Sequence, residues 1–214
     1  MESIEKILKD KYRHPAQWDQ TFPPMSMGQM VTDSALAHPT AHMVDFMGRK
    51  FSYGEMYDQI RRVACGLQAM GVQKGDRVGL YLPNTPHYVA AYYGALMAGA
   101  IVVNFSPLYT AAELEHQVED SGTKILFTLS AKALLPTAME VLEHSTLETL
   151  IVGSVAEVLS PVKSLLFRRF KASETVASGQ MAYAVPTPGD RPQFESVLKD
   201  KPATAATAIA KAAP

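Results

Sequence analysis

The stretch that decides the fold reads Gly71-Val-Gln-Lys-Gly-Asp-Arg-Val-Gly-Leu-Tyr-Leu-Pro-Asn84, then an apolar helical run, then Ile101-Val-Val-Asn104. It closes with Pro107-Leu-Tyr-Thr-Ala-Ala-Glu-Leu114 and Asp120-Ser-Gly122. In order, these segments predict a turn, strand, helix, strand, loop, helix and turn, which is typical of a parallel α/β sheet. We therefore expect an α/β fold in which right-handed crossovers connect parallel strands.

Working outward from this stretch, the clearest helix starts at the capping box Ser52-Tyr-Gly-Glu55 and stops before Gly71. A second capping box, Thr110-Ala-Ala-Glu113, opens a helix that ends at Gly122. A third helix is expected between these two, with Thr85 as its cap and Pro86 in its first turn. Strands are expected at 77–82, 101–104, 124–129 and 148–152. Ser130 is expected to cap a segment that runs to about Glu143 and is broken or restarted at Pro136.

The flanking regions are simpler. We expect helices at 3–12 and 27–36, an irregular segment at 13–25, and a hairpin at 41–51 with glycine in its turn. Residues 194–198 are expected to form one helical turn. The expected organisation is a lead-in at 1–25, an α/β subdomain at 26–155, an insertion at 156–200 with an apolar, basic segment, and an Ala/Thr/Pro linker at 201–214.

Composition narrows the function classes. With 47% hydrophobic residues among 214, a folded core is expected, and a formal net charge of −1 argues against a nucleic-acid surface across the whole chain. Cys65 is the single cysteine, which excludes an intramolecular disulfide, and we interpret it as a packing residue. Residues 78–112 carry no Asp, Glu, Lys or Arg. Prolines and glycines interrupt this run, so we favour a buried helix and strand over a membrane span.

The residues alone reveal no catalytic, cofactor-binding or metal site. The sequence lacks Gly-x-Gly-x-x-Gly after a strand, a phosphate loop and a Gly-x-Ser-x-Gly elbow. The six histidines lack the spacing of metal ligands and are interpreted as structural or surface residues. Ser121-Gly-Thr-Lys124 looks like part of a phosphate loop, but it precedes a strand instead of following one, so we do not expect it to hold a nucleotide.

A succession of short motifs carries the analysis further. The motifs, in chain order, are Phe51-Ser-Tyr-Gly-Glu55, Gly71-Val-x-x-Gly-Asp-Arg-Val78, Leu82-Pro-Asn84, Ala98-Gly-Ala100, Val103-Asn104, Pro107-Leu-Tyr-Thr110, Glu113-Leu114 and Asp120-Ser-Gly122. In that order they resemble the N-terminal region of the AMP-forming acyl-CoA synthetases of the adenylate-forming superfamily, and most closely the bacterial long-chain fatty acid CoA ligases. The resemblance covers about residues 26–155.

The resemblance implies a reaction in which a fatty carboxylate, ATP and coenzyme A give acyl-CoA, AMP and pyrophosphate with Mg²⁺ assistance. The family's Gly-rich ATP loop ending in Pro-Lys-Gly, its ribose-binding aspartate and its catalytic lysine are absent from this sequence. We therefore carry over no catalytic, cofactor-binding or metal residue. The expectation is the N-terminal piece of a ligase, inactive alone and holding none of these cofactors.

Two hypotheses of different classes stay open. The first is that the chain is the N-terminal piece of a cytoplasmic ligase. Such a piece is expected to expose apolar surface, and therefore to be marginally stable or to self-associate. The second is a non-catalytic module that binds a partner or the inner face of a membrane. The second hypothesis depends on residues 158–171, where the cations Lys163, Arg168, Arg169 and Lys171 accompany apolar residues. We favour packing of this segment against its own domain over membrane contact.

Overall fold

The computed structural model describes residues 3–160, 163, 166, 182–183 and 194–198, and the structural statements below concern these residues. The helices are α1 (Ile4–Lys11), α2 (Met27–Ala37), α3 (Tyr53–Ala69), α4 (Pro86–Met97), α5 (Ala111–Ser121), α6 (Leu135–His144) and a short 3₁₀ helix (Val155–Val158). The strands are β1 (His42–Phe46), β2 (Arg49–Ser52), β3 (Arg77–Leu80), β4 (Ile101–Asn104), β5 (Ile125–Leu129), β6 (Thr149–Gly153), β7 (Ala182–Tyr183) and β8 (Phe194–Leu198).

The main sheet has the strand order β4-β3-β5-β6-β8-β7, and β1 and β2 form a separate hairpin. The pairs β3–β4, β3–β5 and β5–β6 are parallel, which confirms the predicted parallel α/β sheet. Strand β8 is antiparallel to β6, from Thr149 opposite Leu198 to Gly153 opposite Phe194. The predicted helical turn at 194–198 is therefore wrong. An extended segment is favoured there because it satisfies backbone groups along the edge of β6.

The helices form layers on the two faces of the sheet. The connection from β3 to β4 and the one from β4 to β5 run in opposite directions along the sheet. Right-handed crossovers therefore put α4 and α5 on opposite faces. The contacts agree, because α4 packs with α2 and α3, whereas α5 packs with α6. The core lies between these layers and the sheet.

Packing of α3 on α4 depends on one glycine. A Cβ atom at Gly94 would lie 2.6 Å from Cγ1 of Val63 and 3.0 Å from the carbonyl oxygen of Ile60. The missing side chain therefore lets the two helices approach closely. On α3, the side chains that face α4 and the sheet are buried: Met56, Ile60, Val63, Ala64 and Leu67.

Both predicted capping boxes are present. The hydroxyl of Ser52 accepts from the amide of Glu55, and the Glu55 carboxylate accepts from the amide of Ser52. Thr110 and Glu113 form the same reciprocal pair at the start of α5. Gly122 ends α5 with a left-handed φ of 67°, a conformation that glycine adopts without steric cost. These boundaries are therefore set by local chemistry that the sequence displays.

Three local predictions need correction. Thr85 is the N-cap residue of α4, but its hydroxyl accepts from no helix amide and instead donates to the carbonyl oxygen of Pro83 at 3.3 Å. Ser130 does not cap a helix, since α6 begins at Leu135 with Pro136 in its first turn. Cys65 is exposed, so its interpretation as a packing residue is wrong. Position 65 lies on the side of α3 opposite the buried stripe, because each residue turns the helix by about 100°.

The uncharged run 78–112 forms β3, α4 and β4. Among the described residues, every helix is too short or too polar to cross a bilayer.

Candidate functional site

The carboxyl ends of the parallel strands form the candidate site. Strands β3 and β5 are neighbours in the sheet, but the chain leaves β3 towards β4 and later returns to β5. In an open α/β sheet, the crevice at such a reversal is the usual place for a ligand. The segments that follow β3 and β4, residues 81–85 and 105–110, border this crevice together with Ser130 after β5.

Tyr81, directly after β3, holds the loop that follows β4. Its ring is buried, and its hydroxyl lies 3.4 Å from the carbonyl oxygen of Pro107 and 3.3 Å from that of Tyr109. Burial raises the pKa of Tyr81, while a hydrogen bond with Thr137 lowers it. The phenol therefore stays protonated at neutral pH and donates to this loop. Leu108, at the tip, is 91% exposed.

His87 lies in the first turn of α4 and is buried against the end of β6. A Cβ atom at Gly153 would lie 2.8 Å from Cδ2 of His87, so the absence of a side chain at Gly153 makes room for the imidazole. Burial lowers the pKa of His87 to about 4, and the ring is neutral at physiological pH. It fills space between α4 and the sheet, in agreement with its interpretation as a structural histidine. The other five histidines, His14, His38, His42, His116 and His144, are exposed.

Neither Tyr81 nor His87 was identified as distinctive from the sequence. Tyr81 lies inside a predicted buried strand, where nothing separates it from Leu80 and Leu82. His87 did have one distinguishing feature in the sequence. It is the single histidine in the run 78–112, which contains no Asp, Glu, Lys or Arg.

The phosphate-loop fragment at 121–124 is already engaged within the protein. The Ser121 hydroxyl donates to the carbonyl oxygen of Gln117 at 2.7 Å and lies 2.8 Å from the hydroxyl of Thr123. Lys124 forms an ion pair with Glu148. The fragment also lies at the amino end of β5, away from the crevice. That this fragment holds no nucleotide stays a prediction.

The described residues hold no preformed cluster of metal-ligating imidazole, thiolate or carboxylate side chains. Within 3–160 and the shorter described pieces, His, Cys, Asp and Glu form no group of three or more that could hold a metal ion. No catalytic, cofactor-binding or metal residue was assigned from the sequence, and that assignment stays a prediction.

The start of the apolar, basic segment contacts the β1–β2 hairpin. The ammonium group of Lys163 donates to the carbonyl oxygen of Met47 at 2.6 Å, and the guanidinium of Arg49 donates to that of Leu159 at 3.3 Å. The Met47 carbonyl lies in the hairpin turn, where Met47 (φ 52°) and Gly48 (φ 82°) both adopt left-handed conformations. Arg168, Arg169 and Lys171 lie outside the described residues.

Comparison with known proteins gives a family match. The model of the family described as AMP-binding enzyme matches residues 31–204. A long-chain-fatty-acid–CoA ligase of Bacillus subtilis is 34% identical over 157 residues, which cover 73% of this chain and 28% of the relative. A long-chain-fatty-acid–CoA ligase of Yersinia pestis is 35% identical over 167 residues, covering 76% and 29% respectively.

Solved structures support the same fold. A long-chain-fatty-acid-CoA ligase from Archaeoglobus fulgidus aligns with a TM-score of 0.57 at 24% identity, over 65% of this chain and 30% of that one. A benzoate CoA ligase from Burkholderia xenovorans aligns with a TM-score of 0.56 at 23% identity, over 78% and 32%. The chain thus spans less than a third of the length of these relatives.

Proposed function

The chain belongs to the AMP-binding enzyme family, and we propose that it supplies the N-terminal α/β part of an ATP-dependent long-chain fatty acyl-CoA synthetase. The observation that carries this proposal is the family match over residues 31–204, together with the identity of 34% to a ligase of that name. The reaction of the whole enzyme would join a fatty carboxylate to coenzyme A, with ATP converted to AMP and pyrophosphate. The cell compartment would be the cytoplasm.

Contacts among the described residues support the proposal that this chain alone has no ATP or Mg²⁺ site. Ser121, Thr123 and Lys124 are engaged with protein groups, and the described carboxylates form no metal cluster. The sequence contains no Gly-rich loop that could wrap a triphosphate with its amides. We therefore assign this chain a structural role in the enzyme, with residues 26–155 as the subdomain, 156–200 as an insertion and 201–214 as a linker. Alone, the chain would form no acyl-adenylate.

A chimera tests the proposal. Residues 26–155 would replace the matching segment of the Bacillus subtilis ligase, and palmitoyl-CoA formation would be measured with ATP and coenzyme A. We expect ATP- and CoA-dependent activity from the chimera and none from the 214-residue chain alone. A Gly94→Val chimera should lose activity, since the added atoms would meet Val63. A Cys65→Ser chimera, altered at an exposed position of the same helix pair, should retain it.

Two results would contradict the proposal. A chimera that unfolds as cooperatively as the parent ligase but makes no acyl-CoA would show that the α/β parts are not equivalent. Acyl-CoA formation by the purified 214-residue chain would show that it is a catalyst in its own right.

The second candidate is a non-catalytic module that binds a membrane through Lys163, Arg168, Arg169 and Lys171. The hydrogen bond from Lys163 to Met47 favours packing of this segment on its own domain instead. The membrane hypothesis would be preferred instead if the chain co-sediments with anionic vesicles and the Arg168→Glu/Arg169→Glu variant does not.

Self-association is part of the proposal for the isolated chain. Among the described strands, β4 pairs with β3 alone, and Ile101 at its start is 50% exposed. Such an open, uncharged edge can pair with another chain. A sedimentation coefficient that corresponds to the 23.3-kDa monomer and does not change with protein concentration would exclude self-association.

A further inference from the structure

Methionines are concentrated at the start of α2. The segment reads Met25-Ser-Met-Gly-Gln-Met30, so three of the chain's 11 methionines lie within six residues. All three side chains reach solvent, with Met25, Met27 and Met30 exposed at 55%, 40% and 41%. A thioether sulfur is a weak hydrogen-bond acceptor but a soft donor towards metal ions. The segment therefore places three soft donors on the protein surface.

The cap of α2 determines where these side chains lie. The hydroxyl of Ser26 accepts from the amide of Gln29 at 3.0 Å, and Ser26 is the N-cap residue. Met25 precedes the cap and Met30 is the fourth residue of the helix, two positions whose side chains commonly pack together across the first turn. Met27 lies one turn before Met30 on the same side of the helix, where Cβ atoms are about 5–6 Å apart. This local geometry brings the three thioethers into one methionine patch.

A different side of α2 attaches the helix to the core. Val31 and Ala35 are buried, and a Cβ atom at Gly28 would lie 3.0 Å from Cγ of Met97 on α4. Because each residue turns the helix by about 100°, Met27 and Met30 lie to one side of this contact. The helix is therefore held in place by its packing on α4, while the methionine patch stays open to solvent.

The segment that carries the patch is negatively charged. Residues 14–48 contain three acids, Asp19, Asp33 and Asp45, and no Lys or Arg. The carboxylate of Asp33 accepts from the side-chain amide of Gln29, which holds this negative charge beside the first turns of α2. It offsets the partial positive charge that the amino end of a helix presents to a cation.

We propose that Met25, Met27 and Met30 form a binding site for a soft monovalent metal ion, Cu(I). Sulfur ligands of this kind select Cu(I), whereas Mg²⁺ takes oxygen ligands and Zn²⁺ takes imidazole, thiolate or carboxylate. Packing across the start of a helix needs only apolar side chains at positions 25 and 30, so it does not account for a third thioether at position 27. The site does not depend on the proposed ligase function, because metal binding is measured without ATP, coenzyme A or fatty acid.

NMR of the methionine methyl groups tests the site in the full 214-residue chain. Every titration uses the Cys65→Ser background, because the exposed thiol of Cys65 is a competing soft ligand. Protein with ¹³C-labelled methionine methyl groups would be titrated with Ag(I), which is soft and redox-stable, and with Cu(I) under anaerobic conditions. We expect the methyl resonances of Met25, Met27 and Met30 to shift together and to stop shifting at one metal ion per chain. Zn²⁺ should leave them unchanged.

Leucine variants remove the sulfur atoms while keeping the shape of the side chains. Met25→Leu/Met30→Leu should weaken Cu(I) binding, measured by competition with a chelator, by roughly tenfold or more, because two of the three ligands are lost. Its unfolding midpoint in urea should stay close to that of the parent, since methionine and leucine are similar in volume. Met47→Leu is the matched control, because this methionine is 58% exposed in the β1–β2 turn, and it should bind Cu(I) like the parent.

Two results would overturn the proposal. If Ag(I) and Cu(I) leave the methyl resonances of Met25, Met27 and Met30 unchanged, the methionine patch serves only to pack the start of α2. If Met25→Leu/Met30→Leu binds Cu(I) as tightly as Met47→Leu does, the ion is held elsewhere in the chain.

Discussion

Helices α1 and α3 start with the same kind of cap, but only α3 packs into the core. Each follows a serine whose hydroxyl accepts from the amide three residues later, Ser3 in α1 and Ser52 in α3. Each carries apolar residues at helical spacing. In α3 these residues are buried, whereas α1 buries none. The comparison teaches that caps and periodicity predict a helix, while length and a close-fitting partner decide whether it joins the core.

The largest expected effect comes from removing one apolar side chain from each helix. Leu67→Ala in α3 should lower the free energy of unfolding by about 2–5 kcal/mol, because Leu67 is buried and a cavity would remain. Ile7→Ala in α1 should change it by less than about 0.5 kcal/mol. Urea unfolding followed by circular dichroism measures both. Equal losses would mean that α1 also packs into the core.

A smaller expected effect is the pH dependence of the unfolding free energy that comes from the buried residue His87. Above about pH 6.5 His87 is neutral in both the folded and unfolded chains, so its contribution does not vary with pH. Between that pH and its folded pKa of about 4, only the unfolded chain takes up the proton. Stability should therefore fall with decreasing pH, by about 3 kcal/mol in total across this window.

The matched comparison isolates this histidine from the carboxylates that titrate in the same range. His87→Gln should flatten the dependence of unfolding free energy on pH between about 6.5 and 4. Leu36→Gln, at a position of α2 that is 71% exposed, removes no titrating group and should leave the slope unchanged. A slope that His87→Gln does not alter would show that protonation of this ring costs the folded state nothing.

The smallest expected effect concerns the caps themselves. Ser52→Ala should cost about 1 kcal/mol of stability, because the amide of Glu55 loses its acceptor. Ser3→Ala removes the equivalent acceptor from α1, where fraying exposes no buried side chain. It should leave the unfolding midpoint in urea unchanged. A matching shift in both variants would contradict the contrast between the two helices.

The sequence was most informative where structure depends on neighbouring residues. Capping boxes at Ser52 and Thr110 and the turn at Gly122 set helix ends within a few residues, so these were predictable. Strand β8 was not predictable in this way, because its extended conformation depends on pairing with β6 about 45 residues earlier. Cys65 was placed wrongly because adjacent residues of a helix face different sides: Ala64 is buried, whereas Cys65 is exposed.

The candidate site was less predictable for the same reason. Tyr81 contacts carbonyl oxygens at Pro107 and Tyr109, and Lys163 contacts the turn at Met47. Such contacts between distant segments leave no local pattern. The resemblance to the family nevertheless predicted the fold, because its motifs mark the turns and helix starts of the sheet.

The strand order has a consequence for how the chain folds. The pairs β3–β4 and β5–β6 each close across a single helix, whereas β3–β5, which aligns Val78 with Ile125, must close across two helices and a strand. Longer loops cost more entropy to close, and non-local pairings slow folding. The two βαβ halves should therefore form first, and the seam between β3 and β5 should be the slow step that joins them.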